Sequence, residues 1–162
     1  MGRITTFGTV LIFTAALAGA QPAPAAPALD PAFRAILDNF NAAWDSRDAT
    51  RFVRDFAADA DFMQAFGRYR ADRAETEAFM RRFFSLQTGG FTSREVGVRV
   101  RMVGDDVAFL EQELEGLGVR NADGSEQPAR RGQMMLVLRK RAEGWRIQHY
   151  RYLDIHTTTI VK

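Results

Sequence analysis

The sequence predicts an α+β domain in which three N-terminal helices pack on one face of a strongly curved, mostly antiparallel β-sheet. Apolar residues recur at helical spacing between residues 33 and 84, and from residue 96 onward they alternate with polar residues as in strands. Helices followed by a run of strands are typical of the α+β class. The 162 residues suffice for one such domain but not for two.

Residues 1–20 are typical of a secretory signal peptide. Arg3 precedes an apolar run over residues 6–17, and the small residues 18–20 form a cleavage site. The run is short for a bilayer-spanning helix, although an uncleaved membrane anchor is the alternative. We therefore expect export to the periplasm or the extracellular space, with cleavage after Ala20 and no membrane association afterwards.

Residues 21–29 form a Pro- and Ala-rich spacer, so the folded domain is expected over residues 30–162. The chain has no cysteine, and an exported form would therefore depend on packing rather than on disulfides. The 22 basic residues nearly balance the 20 acidic ones. Because no broad basic field results, nucleic acid is not an expected partner.

Three aspartates mark the expected helix starts. Asp30 precedes Pro31, Asp48 follows a break after the first helix, and Asp72 is followed by Glu75 as in a capping box. The residues expected to face inward are Phe33, Ile36, Leu37, Phe40, Ala43 and Trp44, then Ala49, Phe52, Val53, Phe56 and Ala57, and finally Phe79, Met80, Phe83 and Phe84. Gly89 and Gly90 are expected to end the third helix.

Five strands complete the expected order. A short strand over residues 61–66 turns at Gly67, and a strand centred on residues 96–102 reaches the hairpin turn at residues 104–106. Strands over residues 107–117, 134–138 and 145–156 follow. Residues 134–138 are apolar at every position, which predicts a central strand covered on both faces.

Three segments resemble a known family. They are AAWDSRDATRFVRDFAADADFMQAFGRYR (42–70), DRAETEAFMRRFF (72–84) and GWRIQHYR (144–151). They are similar to the SnoaL-like branch of the nuclear transport factor 2-like superfamily, and within it to the SgcJ/EcaC group. The resemblance covers about residues 33–156. It implies a cone-shaped α+β fold, a cavity between helices and sheet, and homodimers formed through the sheet. Trp44 and Phe66 resemble pocket-lining positions of the family, with ordinary core packing as the alternative.

His149 and Asp61 are the candidate catalytic residues. His149 has the same strand parity as Trp145 and Ile147, so it is expected to face inward, where it would act as a general base. A structurally satisfied core histidine is the alternative. In a phenylalanine-lined cavity, Asp61 would have a raised pKa and could transfer protons. A capping or arginine-paired carboxylate is the alternative for Asp61.

Tyr69, Glu111 and Glu113 are further candidates for the pocket. Tyr69 could donate a hydrogen bond at the mouth of the cavity, unless it is simply packed. The two glutamates share one face of their strand, which either lines the pocket or lies outside opposite Arg99 and Arg101. The outward arrangement is favoured because it pairs opposite charges across strands.

We therefore expect an exported, homodimeric domain that binds a small, largely apolar molecule and performs cofactor-free isomerase- or cyclase-like chemistry. A non-catalytic ligand carrier or dimeric interaction domain is the first alternative, and an oxidoreductase, as the SgcJ/EcaC label suggests, is the second. No cofactor motif is present. His149 and His156 lie an odd number of residues apart and so on opposite strand faces, and no metal site is expected.

Overall fold

Three helices and six strands form the part of the chain that the computed structural model describes, residues 29–65, 67–86, 92–118, 124–125 and 129–155. The helices are α1 (Pro31–Ser46), α2 (Ala49–Phe52) and α3 (Arg73–Ser85). The strands are β1 (Phe56–Met63), β2 (Tyr69–Arg70), β3 (Thr92–Val103), β4 (Val107–Leu117), β5 (Arg130–Arg141) and β6 (Gly144–Ile155). The predicted α+β class is confirmed.

All three predicted helix caps are present. The side chains of Asp30, Asp48 and Asp72 each accept a hydrogen bond from a backbone N–H in the first turn of their helix. At α3 the carboxylate of Glu75 also accepts from the N–H of Ala71 at 3.0 Å. These caps satisfy backbone donors that have no partner within the helix.

The junction of α2 and β1 differs from the prediction. The expected helical stripe extended to Ala57, whereas α2 ends at Phe52 and β1 begins at Phe56. The backbone N–H of Ile147 donates to the carbonyl oxygen of Asp55 at 2.8 Å, which ties this segment to β6. Pairing with a neighbouring strand therefore overrides the local helical pattern.

The six strands form one mixed sheet in the order β2-β1-β6-β5-β4-β3. The pairing of β1 with β6 is parallel, and the other pairings are antiparallel. The two-residue β2 was not predicted, because a strand so short has no readable periodicity.

Aromatic rings fill the space between the helices and the sheet. Phe52 is fully buried, with its ring centroid 4.6 Å from that of Phe40 and 5.8 Å from that of Phe62. The ring of Tyr150 stacks on Phe62 at 4.6 Å. The middle of the domain is thus a packed core.

The two faces of the sheet have different surroundings. The inner face packs on the helices and shares one hydrophobic cluster with them; its central members are Phe62, Leu110, Leu136, Ile147 and Tyr150. The outer face is the opposite side, where Asp61, Glu111, Met135 and Arg151 lie at alternate positions.

Register shifts interrupt three strand pairings of the described sheet, and two of them, on β3 and β6, are single-residue bulges that change which residues share a face. On β3 the register shifts between Glu95 and Gly97, so that Val96 is the extra residue and is exposed. On β6 the extra residue is Gln148, because Val137 pairs with His149 while Leu138 pairs with Ile147. Each bulge moves the side chains beyond it to the face opposite the one that strict alternation predicts.

Several predicted features lie outside the described residues: the signal peptide over residues 1–20, Phe66, the Gly89-Gly90 pair and His156. No helix in the described ranges is long and apolar enough to cross a membrane.

Candidate functional site

Asp61 and His149 lie side by side on the parallel strands β1 and β6. They are register partners, and His149 Nδ1 lies 3.1 Å from Asp61 Oδ2. Arg151 donates to the same carboxylate through both terminal nitrogens, with Nη2 3.1 Å from Oδ2. Asp61, His149 and Arg151 are here called the β1–β6 cluster.

The β1–β6 cluster lies on the outer face of the sheet. Counting alternate residues from Trp145 places His149 on the inner face, and that placement is wrong because Gln148 is a bulge residue. Beyond the bulge, Tyr150 takes the inner position and is buried, whereas the His149 side chain is 46% exposed. The structure thus brings the two candidates together, but away from the helices.

The pKa of the Asp61 carboxyl is lowered rather than raised. Partial burial raises the pKa, but the hydrogen bonds and positive charge of Arg151, together with the hydrogen bond from His149, outweigh it. Asp61 is therefore the arginine-paired carboxylate of the alternative interpretation. It is ionised at neutral pH and cannot serve as a proton donor there.

Tyr69 lies on the outer face, beside the β1–β6 cluster. It pairs with Met63 across β2 and β1, and Met63 in turn pairs with Arg151, so the three residues form one row. The Tyr69 side chain is exposed.

Glu111 and Glu113 also lie on the outer face. Glu111 Oε2 is 3.4 Å from Arg99 Nε, and Glu113 Oε1 is 3.3 Å from Arg131 Nη1. The outward orientation of these glutamates is confirmed, and they form a cross-strand charge ladder rather than a pocket wall.

A cavity of about 640 Å³ opens between α3 and the connection of β1 with β2. It is here called the α3 pocket, and its lining residues are Gln64, Arg68, Arg70, Phe79, Arg82, Phe83 and Leu86. Its volume is typical of small-molecule sites, which span roughly 300–1,000 Å³.

The apolar wall of the α3 pocket is a second stripe on α3. Met80 and Phe84 are buried in the core, whereas Phe79, Phe83 and Leu86 follow one another at spacings of four and three residues along the adjoining side. The rings of Phe79 and Phe83 lie 6.0 Å apart and nearly parallel. The four inward residues predicted for this helix thus divide between the core and the pocket.

Three arginines surround this apolar wall. The guanidinium carbon of Arg70 lies 4.4 Å from the ring centroid of Phe79, and Arg70 Nη1 donates to the carbonyl oxygen of Tyr69 at 2.6 Å. Within the described ranges, no carboxylate lies within 4.0 Å of Arg68, Arg70 or Arg82. None of these arginines was a sequence candidate. The only available signal was the presence of arginines both before α3 and among the phenylalanines of its second half.

Trp44 packs against the phenylalanine wall of the α3 pocket. Its ring contacts Phe83 edge-on at 5.9 Å, and it also packs against Phe52 and Phe84. The predicted pocket residue Phe66 belongs to the same β1–β2 connection as Gln64 but lies outside the described residues.

A separate polar network lies where α1 meets β3 and β4. Arg34 forms two hydrogen bonds with Glu95, and Gln112 Nε2 donates to Glu95 at 2.7 Å. The Arg34 hydrogen bond, assisted by that of Gln112, lowers the pKa of Glu95 against the effect of burial. Gln112 Oε1 is buried and accepts no hydrogen bond from the described residues.

No three His, Asp or Glu side chains of the described part converge as metal ligands would. The β1–β6 cluster contributes only two such groups, and Arg151 occupies both oxygens of its carboxylate.

The comparisons with known proteins agree with this architecture. Residues 33–152 match the family model of the SnoaL-like domain. The chain matches no curated protein at a significant level.

Solved structures share the fold at low sequence identity. An uncharacterized protein with a cystatin-like fold from Caulobacter vibrioides has a TM-score of 0.67 at 19% identity, covering 78% of this chain and 89% of that one. An NTF2-like (nuclear transport factor 2-like) protein of unknown function from Pseudomonas putida has a TM-score of 0.66 at 14% identity, with coverages of 80% and 89%.

A ketosteroid isomerase-like protein from Erwinia carotovora atroseptica has a TM-score of 0.63 at 20% identity, with coverages of 77% and 95%. At these identities the likeness concerns the fold alone. Because the family model spans most of the described domain, the chain belongs to the SnoaL-like domain family.

Proposed function

We propose that this SnoaL-like domain binds a small, largely apolar molecule in the α3 pocket. The observation that carries the proposal is the nearly parallel pair Phe79 and Phe83 in the wall of a cavity of about 640 Å³. An apolar wall with a few polar groups is the usual design of small-molecule sites. Covering such a wall contributes roughly 25 cal/mol for each Å² of apolar surface removed from water.

The composition of the α3 pocket supports binding rather than acid–base catalysis. Its described lining residues include no histidine, carboxylate, lysine or tyrosine, the side chains that most often transfer protons in catalysis. His149 and Asp61, which the sequence analysis predicted as candidates for proton transfer, lie on the outer face instead. The ligand-carrier alternative therefore replaces the isomerase-like one as the leading proposal.

A thermal-shift screen of neutral aromatic and alicyclic compounds tests the proposal. A ligand that binds only the folded protein stabilises it by mass action and so raises the melting temperature. At a ligand concentration of 100 times the Kd, the free energy of unfolding rises by about 2.7 kcal/mol. Hits should lose most of their shift in the Phe83→Ala variant. They should keep it in Met102→Ala, which removes an exposed apolar side chain from β3, at the opposite edge of the sheet from β2. Hits with full shifts in Phe83→Ala would contradict the α3 pocket as the site.

We further propose that the outer face joins two copies of the chain. Leu153 and Ile155 are 51% and 46% exposed there, and Met135 and Val137 of the central strand β5 lie on the same face, where they pair with Arg151 and His149. The surrounding glutamate–arginine ladder supplies both signs of charge, so the face can meet its own copy without net repulsion. An exposed apolar strip with a charged rim is typical of an interface.

Sedimentation velocity at micromolar concentration tests the dimer. The wild-type protein should sediment as a dimer, and Leu153→Glu should sediment as a monomer with unchanged circular dichroism. A wild-type monomer would refute this second proposal and leave the ligand pocket unaffected.

A further inference from the structure

We infer that the ligand of the α3 pocket is an organic anion, a flat apolar body that carries a carboxylate or a phosphate. This inference rests on the proposed binding function and adds the chemical class of the ligand. It follows from the charge of the lining, since the seven lining residues that the structure describes include three arginines and no acidic residue.

The pocket arginines differ from those on the outer face. There, Arg99 and Arg131 each lie within 4.0 Å of a glutamate. Arg68, Arg70 and Arg82 converge on one cavity, and no carboxylate of the described chain neutralises them. Like charges brought together repel, and an anion bound between them removes that repulsion.

Two contacts fix the Arg70 side chain before any ligand binds. Its guanidinium group stacks over Phe79 at 4.4 Å, and one nitrogen is fixed by the Tyr69 carbonyl oxygen. The remaining N–H groups of such a planar fork match the oxygens of a carboxylate or phosphate. A group fixed in advance loses little conformational entropy when the ligand binds.

The apolar and cationic parts of the lining are adjacent, which favours one ligand with two matching parts. The rings of Phe79 and Phe83 are nearly parallel and offer a surface for a flat ring. Arg82 lies between them in sequence and borders the same cavity. A ring resting on the phenylalanines therefore places an attached anionic group within reach of the guanidinium groups.

Calorimetric titration with three probes of the same shape tests the inference: 2-naphthoate, 2-naphthyl phosphate and neutral 2-naphthamide. Either anion should bind about 10-fold more tightly than the amide, because hydrogen bonds between charged groups are stronger than neutral ones. The anion that binds more tightly shows whether the pocket prefers a carboxylate or a phosphate group. Raising the ionic strength should weaken both anions and leave the amide unchanged.

Two variants test which arginines cause the preference for anions. The double variant Arg68→Gln/Arg82→Gln should weaken binding of the anions by about 10-fold and that of the amide by less than about 2-fold, since only charged contacts are lost. Arg81→Gln is the matched control, because Arg81 is next to Arg82 on α3 but pairs with Glu77 and does not line the cavity. It should bind all three probes as the wild type does.

The outcomes separate this inference from the proposed function. Equal affinity for anions and amide, or equal losses in Arg81→Gln and the double variant, would overturn the selection for an anion while leaving the pocket in place. Failure of all three probes to bind at millimolar concentration would overturn both proposals.

Discussion

Asp61 Oδ2 lies 3.1 Å from His149 Nδ1, across the one parallel strand pairing of the described sheet. Such a contact resembles a catalytic pair, yet Arg151 holds both oxygens of the same carboxylate. The contact lies one residue beyond the Gln148 bulge, where the pairing of β6 with β5 is interrupted. We therefore interpret the β1–β6 cluster as a clamp, that is, a set of side-chain contacts that holds strands β1 and β6 together.

Asp61→Asn should destabilise the domain at neutral pH. The loss should be about 1 kcal/mol, since the hydrogen bonds involve charged groups but the cluster is partly exposed to solvent. Urea unfolding of the wild type and the variant at pH 7 measures it. An unchanged free energy of unfolding would contradict the clamp.

The destabilisation by Asp61→Asn should disappear in acid. Because the pKa of folded Asp61 is below its ordinary value of 3.8, its contribution is complete above the unfolded pKa and is lost as the pH falls through the lower folded value. The difference between wild type and variant should therefore shrink as the pH falls through the ordinary value of 3.8 towards the lower folded pKa. His149→Gln, which retains the Arg151 contact, should keep most of this acid dependence.

Phe83→Ala and Phe84→Ala should separate ligand binding from stability. Phe84 is buried in the core, and its loss should cost about 3–5 kcal/mol. Phe83 is half-buried at the pocket, so its loss should cost about 1–2 kcal/mol and weaken the binding of 2-naphthoate. Urea unfolding and calorimetric titration measure the two effects. Equal destabilisation by both variants would mean that Phe83 belongs to the core.

Gln112→Met should leave stability within about 1 kcal/mol of the wild type. The variant loses a hydrogen bond to Glu95 worth about 1.5–3 kcal/mol. It also removes a buried oxygen that accepts no hydrogen bond from the described residues and whose burial costs about 1–3 kcal/mol. Gln112→Ala leaves a cavity as well and should cost about 2–3 kcal/mol more. Thermal unfolding of the two variants compares them. A strongly destabilised Gln112→Met would show that the amide oxygen has a partner in solution.

Export predicts a shortened chain. We propose that the protein produced in a secreting bacterial host begins at Gln21, after cleavage behind Ala20. N-terminal sequencing and intact mass spectrometry of the periplasmic and extracellular fractions check this. A full-length chain in the membrane fraction would instead favour the uncleaved anchor.

The helices were predictable because their signals are local. Each cap is an aspartate within a few residues of the N–H that it satisfies, as at Asp30 and Asp72. The fold class follows from the change of apolar period, which depends only on spacing along the chain.

The faces of the strands were less predictable, because a bulge has no clear sequence signature. One extra residue, Val96 or Gln148, reverses every position beyond it. The inward prediction for His149 failed for that reason alone. Glu95 reaches the inner face, and thus Gln112, through the other bulge.

The α3 pocket was not predictable from spacing, because it forms where α3 approaches the β1–β2 connection. Phe79 and Phe83 carry the same helical signal as the core residues Met80 and Phe84. Only the three-dimensional arrangement shows that Arg68, before β2, and Arg82, on α3, border one cavity.

Amide chemical-shift mapping with 2-naphthoate tests most directly whether the α3 pocket is the binding site. We predict that the largest shifts on titration belong to the amides of Gln64, Phe79, Arg82 and Phe83, with His149 unchanged. Largest shifts at His149 and Arg151 would instead place the site on the outer face and contradict the α3 pocket.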